Sequence, residues 1–246
     1  MSLPDGWIVP DWPAPPGVRA FVTTRAGGVS RGGYASMNLG MSSGDEPASV
    51  ARNREIVRAH IPGDPAWLAQ VHGTTVADLD RIEGHERPPA DAAATSKPGR
   101  VAAVLTADCM PLLLCDPAGS RVAVAHAGWR GMAAGVIENA VRAMGAEPGQ
   151  VCAWLGPTIG PTAFEVGPEV KAAFESHDPA AAAAFAPRPG GKFMADLYAL
   201  ARRRLGRAGV RAIHGGGFCT YREPERFFSY RREPKSGRMG AFIWIE

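Results

Sequence analysis

Two imidazoles and one thiol stand out from the rest of this chain. His72 lies in Gln70-Val71-His72-Gly73, Cys109 in Thr106-Ala107-Asp108-Cys109-Met110-Pro111, and His126 in Ala125-His126-Ala127-Gly128-Trp129-Arg130-Gly131. One thiolate and two neutral imidazoles form a donor set suited to a single Zn²⁺. Three protein ligands leave the fourth tetrahedral position free for water, the mark of a catalytic rather than a structural zinc site. The same residues allow a second chemistry, in which Cys109 is a nucleophile and His126 its base. The chain has no Cys-x-x-Cys or His-Glu-x-x-His, so spacing alone does not choose between them.

The surrounding elements must bring these residues together. The apolar run Val101–Thr106 reads as a buried strand, and Leu112–Cys115 and Val122–Ala125 as two more. Asp116-Pro117-Ala118-Gly119-Ser120 between the last two is a turn signal, so they form a hairpin. Cys109 falls just before one strand and His126 just after the other, which makes them neighbours at the open end of the hairpin. His72 must be brought in by the fold. After His126, apolar residues at Met132, Val136, Ile137, Val141 and Met144 recur at helical spacing, with Gly145 as a stop. The spacing predicts a helix over Gly131–Met144. Its start suits a phosphate or oxyanion, and Arg130 adds a guanidinium there.

With 246 residues and no evident linker, one domain over residues 1–246 is expected, residues 1–20 being an N-terminal extension or edge segment. Further helices are expected at about Glu46–Ala59, Glu169–Glu175 and Asp196–Ala208. Helices and hairpin-like strands mix without strict alternation, which points to α+β with mixed sheets. The simple segment Ala181–Gly191 reads as a surface connection whose alanines end a short helix. No apolar run is long enough to span a membrane, the first residues lack the pattern of an export signal, and a net charge of +3 gives no reason to expect nucleic acid as a partner. Four cysteines are too few for a disulfide scaffold, so reduced thiols in the cytoplasm are expected. His60, His85, His177 and His214 have no motif around them and read as surface or turn residues.

Several segments together resemble the YfiH family, also called multicopper polyphenol oxidoreductase or laccase-domain proteins, whose mammalian relative is known as FAMIN. They are the three segments above, with Gly28-Val29-Ser30, Tyr34-Ala35-Ser36-Met37-Asn38-Leu39-Gly40, Gly156-Pro157-Thr158-Ile159-Gly160, Phe164-Glu165-Val166-Gly167, Cys219-Thr220, Phe227-Phe228-Ser229-Tyr230-Arg231-Arg232 and Gly237-Arg238-Met239. The resemblance implies a single α+β domain of two packed mixed β-sheets with flanking helices. It implies one zinc per chain, held by the positions that are His72, Cys109 and His126 here. It also implies phosphorolysis of inosine, adenosine, guanosine and methylthioadenosine to base and ribose 1-phosphate, with adenosine deamination at the same site. The family often carries a Cys just before Phe-Glu-Val-Gly, in a region that holds Thr162 here.

Zinc chemistry fits deamination, since it activates water for attack on an adenine ring carbon. Phosphorolysis asks for a held phosphate, and its candidate contacts are Arg130, Ser36, Asn38 and Arg25. Turn chemistry in a Gly-rich loop is the alternative for Ser36 and Asn38. Asp108 is a candidate partner for a ligating histidine, or else caps a turn. Arg226, Arg231 and Arg232 could rim the pocket. Besides a non-catalytic zinc-binding interaction protein, which would leave the open coordination position unexplained, two rival functions remain at this point. One is a Cys–His hydrolase acting on a peptidoglycan precursor, a substrate to which bacterial members have been linked. The other is a copper-dependent polyphenol oxidase, which six histidines do not suffice to build.

Overall fold

In the C-terminal strand Met239–Ile245, Ala241, Ile243 and Ile245 face one hydrophobic layer, while Phe242 and Trp244 face another. Period-2 alternation between two apolar layers means a strand buried on both faces. The same holds for Met110–Cys115: Met110, Leu112 and Leu114 point one way, Leu113 and Cys115 the other. The computed structural model describes residues 3–83 and 86–246, so His85 lies outside the described residues.

In chain order the strands are β1 (Val18–Val22), β2 (Pro65–Ala66), β3 (Val76–Asp78), β4 (Ala92–Thr95), β5 (Val101–Thr106), β6 (Met110–Cys115), β7 (Val122–Ala127), β8 (Cys152–Leu155), β9 (Glu165–Val166), β10 (Phe185–Arg188), β11 (Lys192–Ala195), β12 (Ala212–Gly215) and β13 (Met239–Ile245). The helices are α1 (Pro47–Arg58), α2 (Trp129–Ala134), α3 (Val136–Ala143), α4 (Pro168–Glu175) and α5 (Leu197–Arg207). One sheet has the order β1-β13-β5-β2 and a six-stranded sheet the order β12-β8-β6-β7-β4-β3. Both are mixed: β2 runs parallel to β5, and β3–β4 and β8–β12 are parallel pairs in otherwise antiparallel sheets. The two sheets pack face to face, as Val104, Ala241 and Ile243 meet Leu113, Val122 and Val124. Helices α2–α5 cover the far face of the six-stranded sheet. α1 joins Trp7, Phe21, Phe242 and Trp244 on the far face of the other. This is the α+β architecture of two mixed sheets with flanking helices.

Three local expectations are corrected. The single helix over Gly131–Met144 is two, broken where Gly135 adopts φ +110°, a left-handed conformation that glycine takes without strain. Ala181–Gly191 is not a mere connection: its alanines do end a short helix, of 3₁₀ type, but β10 then pairs with β11, which pairs in turn with β9 in a third, small antiparallel sheet. His177 and His60 do lie in turns, His60 half-buried with its ring edge-on to Trp7, but His214 is a half-buried residue within β12.

The edge strand β3 and its neighbour β4 precede and follow a clamp at Asp80. Its carboxylate accepts hydrogen bonds from Thr95 Oγ1, Ser96 N and Ser96 Oγ. Burial pushes the Asp80 pKa up, but hydrogen bonds from Ser96 and Thr95, with the charge of Arg121, outweigh it and bring it to about 2. A carboxylate with a depressed folded pKa stabilises above its ordinary pKa of 3.8 and loses that contribution as pH falls toward 2. The stability gap between the wild type and Asp80→Ala, measured by denaturant unfolding, should therefore be constant above pH 5 and close between pH 4 and 2. A gap that is the same at pH 2.5 and pH 6 would rule out the charged clamp.

Candidate metal centre

β5 and β6 are consecutive but belong to different sheets, and the chain crosses between them through Ala107-Asp108-Cys109. β6 pairs antiparallel with β7 in the register Pro111↔His126, so Cys109 and His126 meet at the open end of the hairpin. His72 arrives on the loop between β2 and β3, and two side chains fasten that loop. Gln70 acts as an extra strand residue: its Nε2 donates to Leu105 O at 2.8 Å and its Oε1 accepts from Leu105 N at 2.7 Å. Asp91, fully buried just before β4, accepts from Val71 N, His72 N and Gly73 N at 3.1, 2.9 and 2.7 Å. These bonds hold His72 in the left-handed region at φ +59°, which a non-glycine residue rarely adopts.

The ligand atoms of His72, Cys109 and His126 all lie within 4.8 Å of one another, and Cys109 Sγ is 4.0 Å from His72 Nε2. His126 is buried, Cys109 half-buried and His72 exposed to the cavity that the three share. Asp91 also bonds His126 Nδ1 at 2.9 Å, which leaves Nε2 as the ring nitrogen facing the cluster. Gly128 is required by close approach: a Cβ there would stand 2.7 Å from Cys109 Sγ and 3.3 Å from His72 Cδ2. Burial alone would raise the Cys109 pKa, but the charge and hydrogen bond of His126, then those of His72, bring it down to about 6. Burial would lower His126, but the Cys109 thiolate and Asp91 raise it to about 9. The metal-free pair is thus thiolate and imidazolium. Binding a cation in place of the proton on His126 releases that proton.

The cluster opens into a cavity of about 900 Å³. Arg130 and Arg231 line it, as do Arg87, Arg238 and the rings of Trp129, Phe164 and Tyr230, which the sequence reading did not single out. Ser36, Asn38 and Arg25 do not line it. Ser36 Oγ joins Gly28 N to Arg25 O, buried Asn38 joins Ser43 and Asp45 to Gly40 N and Arg238 N, and Arg25 binds Ala35 O and Pro224 O over the Phe228 ring. These three brace the loop beside the cavity. Arg226 and Arg232 are likewise spent, on Glu223 and on the carbonyls of Thr220, Tyr221 and Phe227. Asp108 is not the partner of a ligating histidine. At φ +84° its carboxylate turns away to accept from Thr220 Oγ1 and Arg231 N, and the histidine partner is Asp91 instead.

The chain belongs to the family described as multi-copper polyphenol oxidoreductase laccase, whose sequence profile matches residues 19–246. It is 52% identical over 240 residues to a protein of Escherichia coli K12 named purine nucleoside phosphorylase YfiH, covering 97% of this chain and 98% of that one. It is 49% identical over 243 residues to a purine nucleoside phosphorylase of Pseudomonas aeruginosa, covering 98% and 99%. The crystal structure of a Neisseria meningitidis protein superposes with a TM-score of 0.94 at 48% identity, covering 98% of this chain and 100% of that one. That of YlmD from Geobacillus stearothermophilus does so with 0.92 at 30%, covering 100% and 98%.

Two outcomes follow from this geometry. Cys109→Ala should abolish tight metal binding while leaving the thermal unfolding of the metal-free protein nearly unchanged, because the thiol stands at a strand end and not in the core. Asp91→Asn should weaken metal affinity about 10- to 100-fold, as measured by competition with a chromophoric chelator, because it loosens one ligand's ring and another's backbone. Unchanged affinity in Asp91→Asn would contradict the bracing role, and full metal occupancy in Cys109→Ala would contradict the ligand set.

Proposed function

We propose that this member of the family works as one domain over residues 1–246 in the cytoplasm. In this reading it is a purine nucleoside phosphorylase that holds one Zn²⁺ per chain on His72, Cys109 and His126. The observation that carries the reading is that a His-Cys-His cluster and unpaired arginines line the same cavity, in a chain about half identical to proteins named purine nucleoside phosphorylase. A thiolate and two imidazoles suit zinc. Among the described residues this is the one group of three or more His, Cys, Asp or Glu side chains able to hold a metal, too few ligands for the several coppers of a multicopper oxidase.

When bound, the ion supplies Lewis-acid charge and activates water, which suits adenosine deamination as a side activity. The chain's own residues account for binding and orientation. Arg130 and Arg238, both in the cavity wall, offer guanidinium forks for phosphate. Arg238 feels the charges of Cys109 and Asp108, which supports a phosphate bound beside the cluster. The rings of Trp129, Phe164 and Tyr230 offer faces for a purine. Asp91 keeps the proton of His126 on Nδ1.

One observation favours a second reading. Asp91, His126 and Cys109 stand in the order of a carboxylate, base and thiol nucleophile, and the thiol is ionised. Such a Cys–His hydrolase, acting for instance on a peptidoglycan precursor, has no use for His72 at 4.0 Å from the sulfur. Alkylation separates the two: a ligating Cys109 resists iodoacetamide until the metal is stripped, whereas a free nucleophile reacts at once and chelators leave activity intact.

Incubation of the purified, metal-analysed protein with inosine or adenosine should give free base and ribose 1-phosphate only when phosphate is present. Adenosine should also give inosine without phosphate. Arg130→Ala should lower kcat/KM for phosphorolysis by tens of fold, for a lost charge-assisted contact of about 2 kcal/mol, and deamination by much less. Equal losses would mean that Arg130 contacts the nucleoside or only shapes the loop. No base release with phosphate present would sink the phosphorylase reading.

A further inference from the structure

The cavity carries more positive charge than a neutral nucleoside and one phosphate employ. Four arginines line it: Arg87, Arg130, Arg231 and Arg238. Among the described residues none of them has a carboxylate partner, whereas ten arginines elsewhere do. The one acid in the wall, Asp108, has its carboxylate taken up by Thr220 Oγ1 and Arg231 N. Uncompensated guanidiniums around a concave, partly aromatic site are built for anions.

Three of the four are also held in place. The guanidinium carbon of Arg130 lies 4.4 Å from the Trp129 ring centre, that of Arg231 5.1 Å from Phe164, and that of Arg238 5.6 Å from Tyr230, and all three rings line the same cavity. Arg231 is tied further through Nη1 to Glu165 O, and Arg238 through Nη1 to Ser236 O and Gly237 O. A stacked guanidinium tied at one corner loses little freedom when its other N–H groups meet a ligand.

The phosphate of phosphorolysis must lie beside the ribose anomeric carbon, and Arg130 and Arg238 serve it. Arg87, Arg130 and Arg231 are exposed and Arg238 is half-buried, and once one phosphate has taken Arg130 and Arg238 a neutral nucleoside has nothing to pair with the other two. The cavity, at about 900 Å³, is at the upper end for small-ligand sites and has room for a larger, charged ligand. We propose that it also binds purine nucleoside 5′-phosphates, with the 5′-phosphate on Arg231 and Arg87 and the nucleoside part where the nucleoside sits. The proposal rests on the nucleoside reading of this site. Its consequence is that nucleotides compete with nucleosides for the site, so that activity on nucleosides falls as nucleotide concentration rises.

The test uses the metal-loaded enzyme and isothermal titration with adenosine, adenosine 5′-monophosphate and ribose 5-phosphate at low ionic strength without inorganic phosphate. Adenosine 5′-monophosphate should bind about tenfold more tightly than adenosine or better, and inhibit inosine phosphorolysis competitively with inosine. Arg87→Ala should reduce that advantage several-fold, and Arg87→Ala with Arg231→Ala should remove it, with adenosine affinity within twofold of wild type. Because Arg231 also ties Glu165, Arg87→Ala alone keeps the test valid if the double variant unfolds. Adenosine binding with no gain from the 5′-phosphate overturns this proposal and leaves the nucleoside reading standing. Ribose 5-phosphate binding as tightly as the nucleotide, or competition with inorganic phosphate rather than inosine, overturns the separate subsite. Failure of all three ligands to bind defeats both readings.

Discussion

One buried carboxylate holds the site together. Asp91 is out of contact with solvent, and its two oxygens receive three backbone N–H groups from Val71, His72 and Gly73 and the ring nitrogen of His126. A buried carboxylate left unpaired would be strongly destabilising, so the surrounding groups are drawn into register around it. The loop that carries His72 has no strand pairing of its own at this point and is exposed at Val71. It keeps its left-handed turn because three consecutive amides converge on one anion, much as amides at a helix start converge on phosphate. The same anion fixes the tautomer of His126. Asp91 itself is set by the sheet, since its carbonyl accepts from His126 N at 2.7 Å at the edge of the β4–β7 pairing.

The fold brings in the third member of the cluster at a junction. Cys109 stands where the chain leaves one sheet for the other, and Gly128 lets the start of α2 pass within van der Waals reach of the sulfur. The Gly128 backbone and the two imidazoles therefore crowd the thiolate. Its lowered pKa has the same origin: two imidazoles crowd it, and their positive charge prevails over the unfavourable burial. A cation would meet a site that is already assembled and already deprotonated at sulfur.

Much of this was legible in the sequence where it follows from periodicity. Apolar runs mark β5, β6 and β7 as buried strands, and the Asp116–Ser120 turn fixes the hairpin that pairs Cys109 with His126. What was not legible depends on side chains reaching backbone over long sequence separations. Asp91 is 18 to 20 residues from the amides it binds, and Gln70 is 35 from Leu105, and such bonds leave no pattern in composition. Asp108 drew attention by adjacency to Cys109, yet a left-handed backbone sends its side chain elsewhere. Ser36 and Asn38 sit in a Gly-rich segment that looks like a binding loop but spends its polar atoms on itself. The cavity arginines Arg87 and Arg238 come from segments far apart in sequence, so only the fold reveals that they share a wall with Arg130 and Arg231.

The central claim is that His72, Cys109 and His126 together hold one zinc. X-ray absorption at the zinc edge of the purified protein reads that claim directly. The account predicts one sulfur at about 2.3 Å, two imidazole nitrogens at about 2.0–2.1 Å and one further light atom. A first shell without sulfur, or with sulfur but no imidazole, would contradict it.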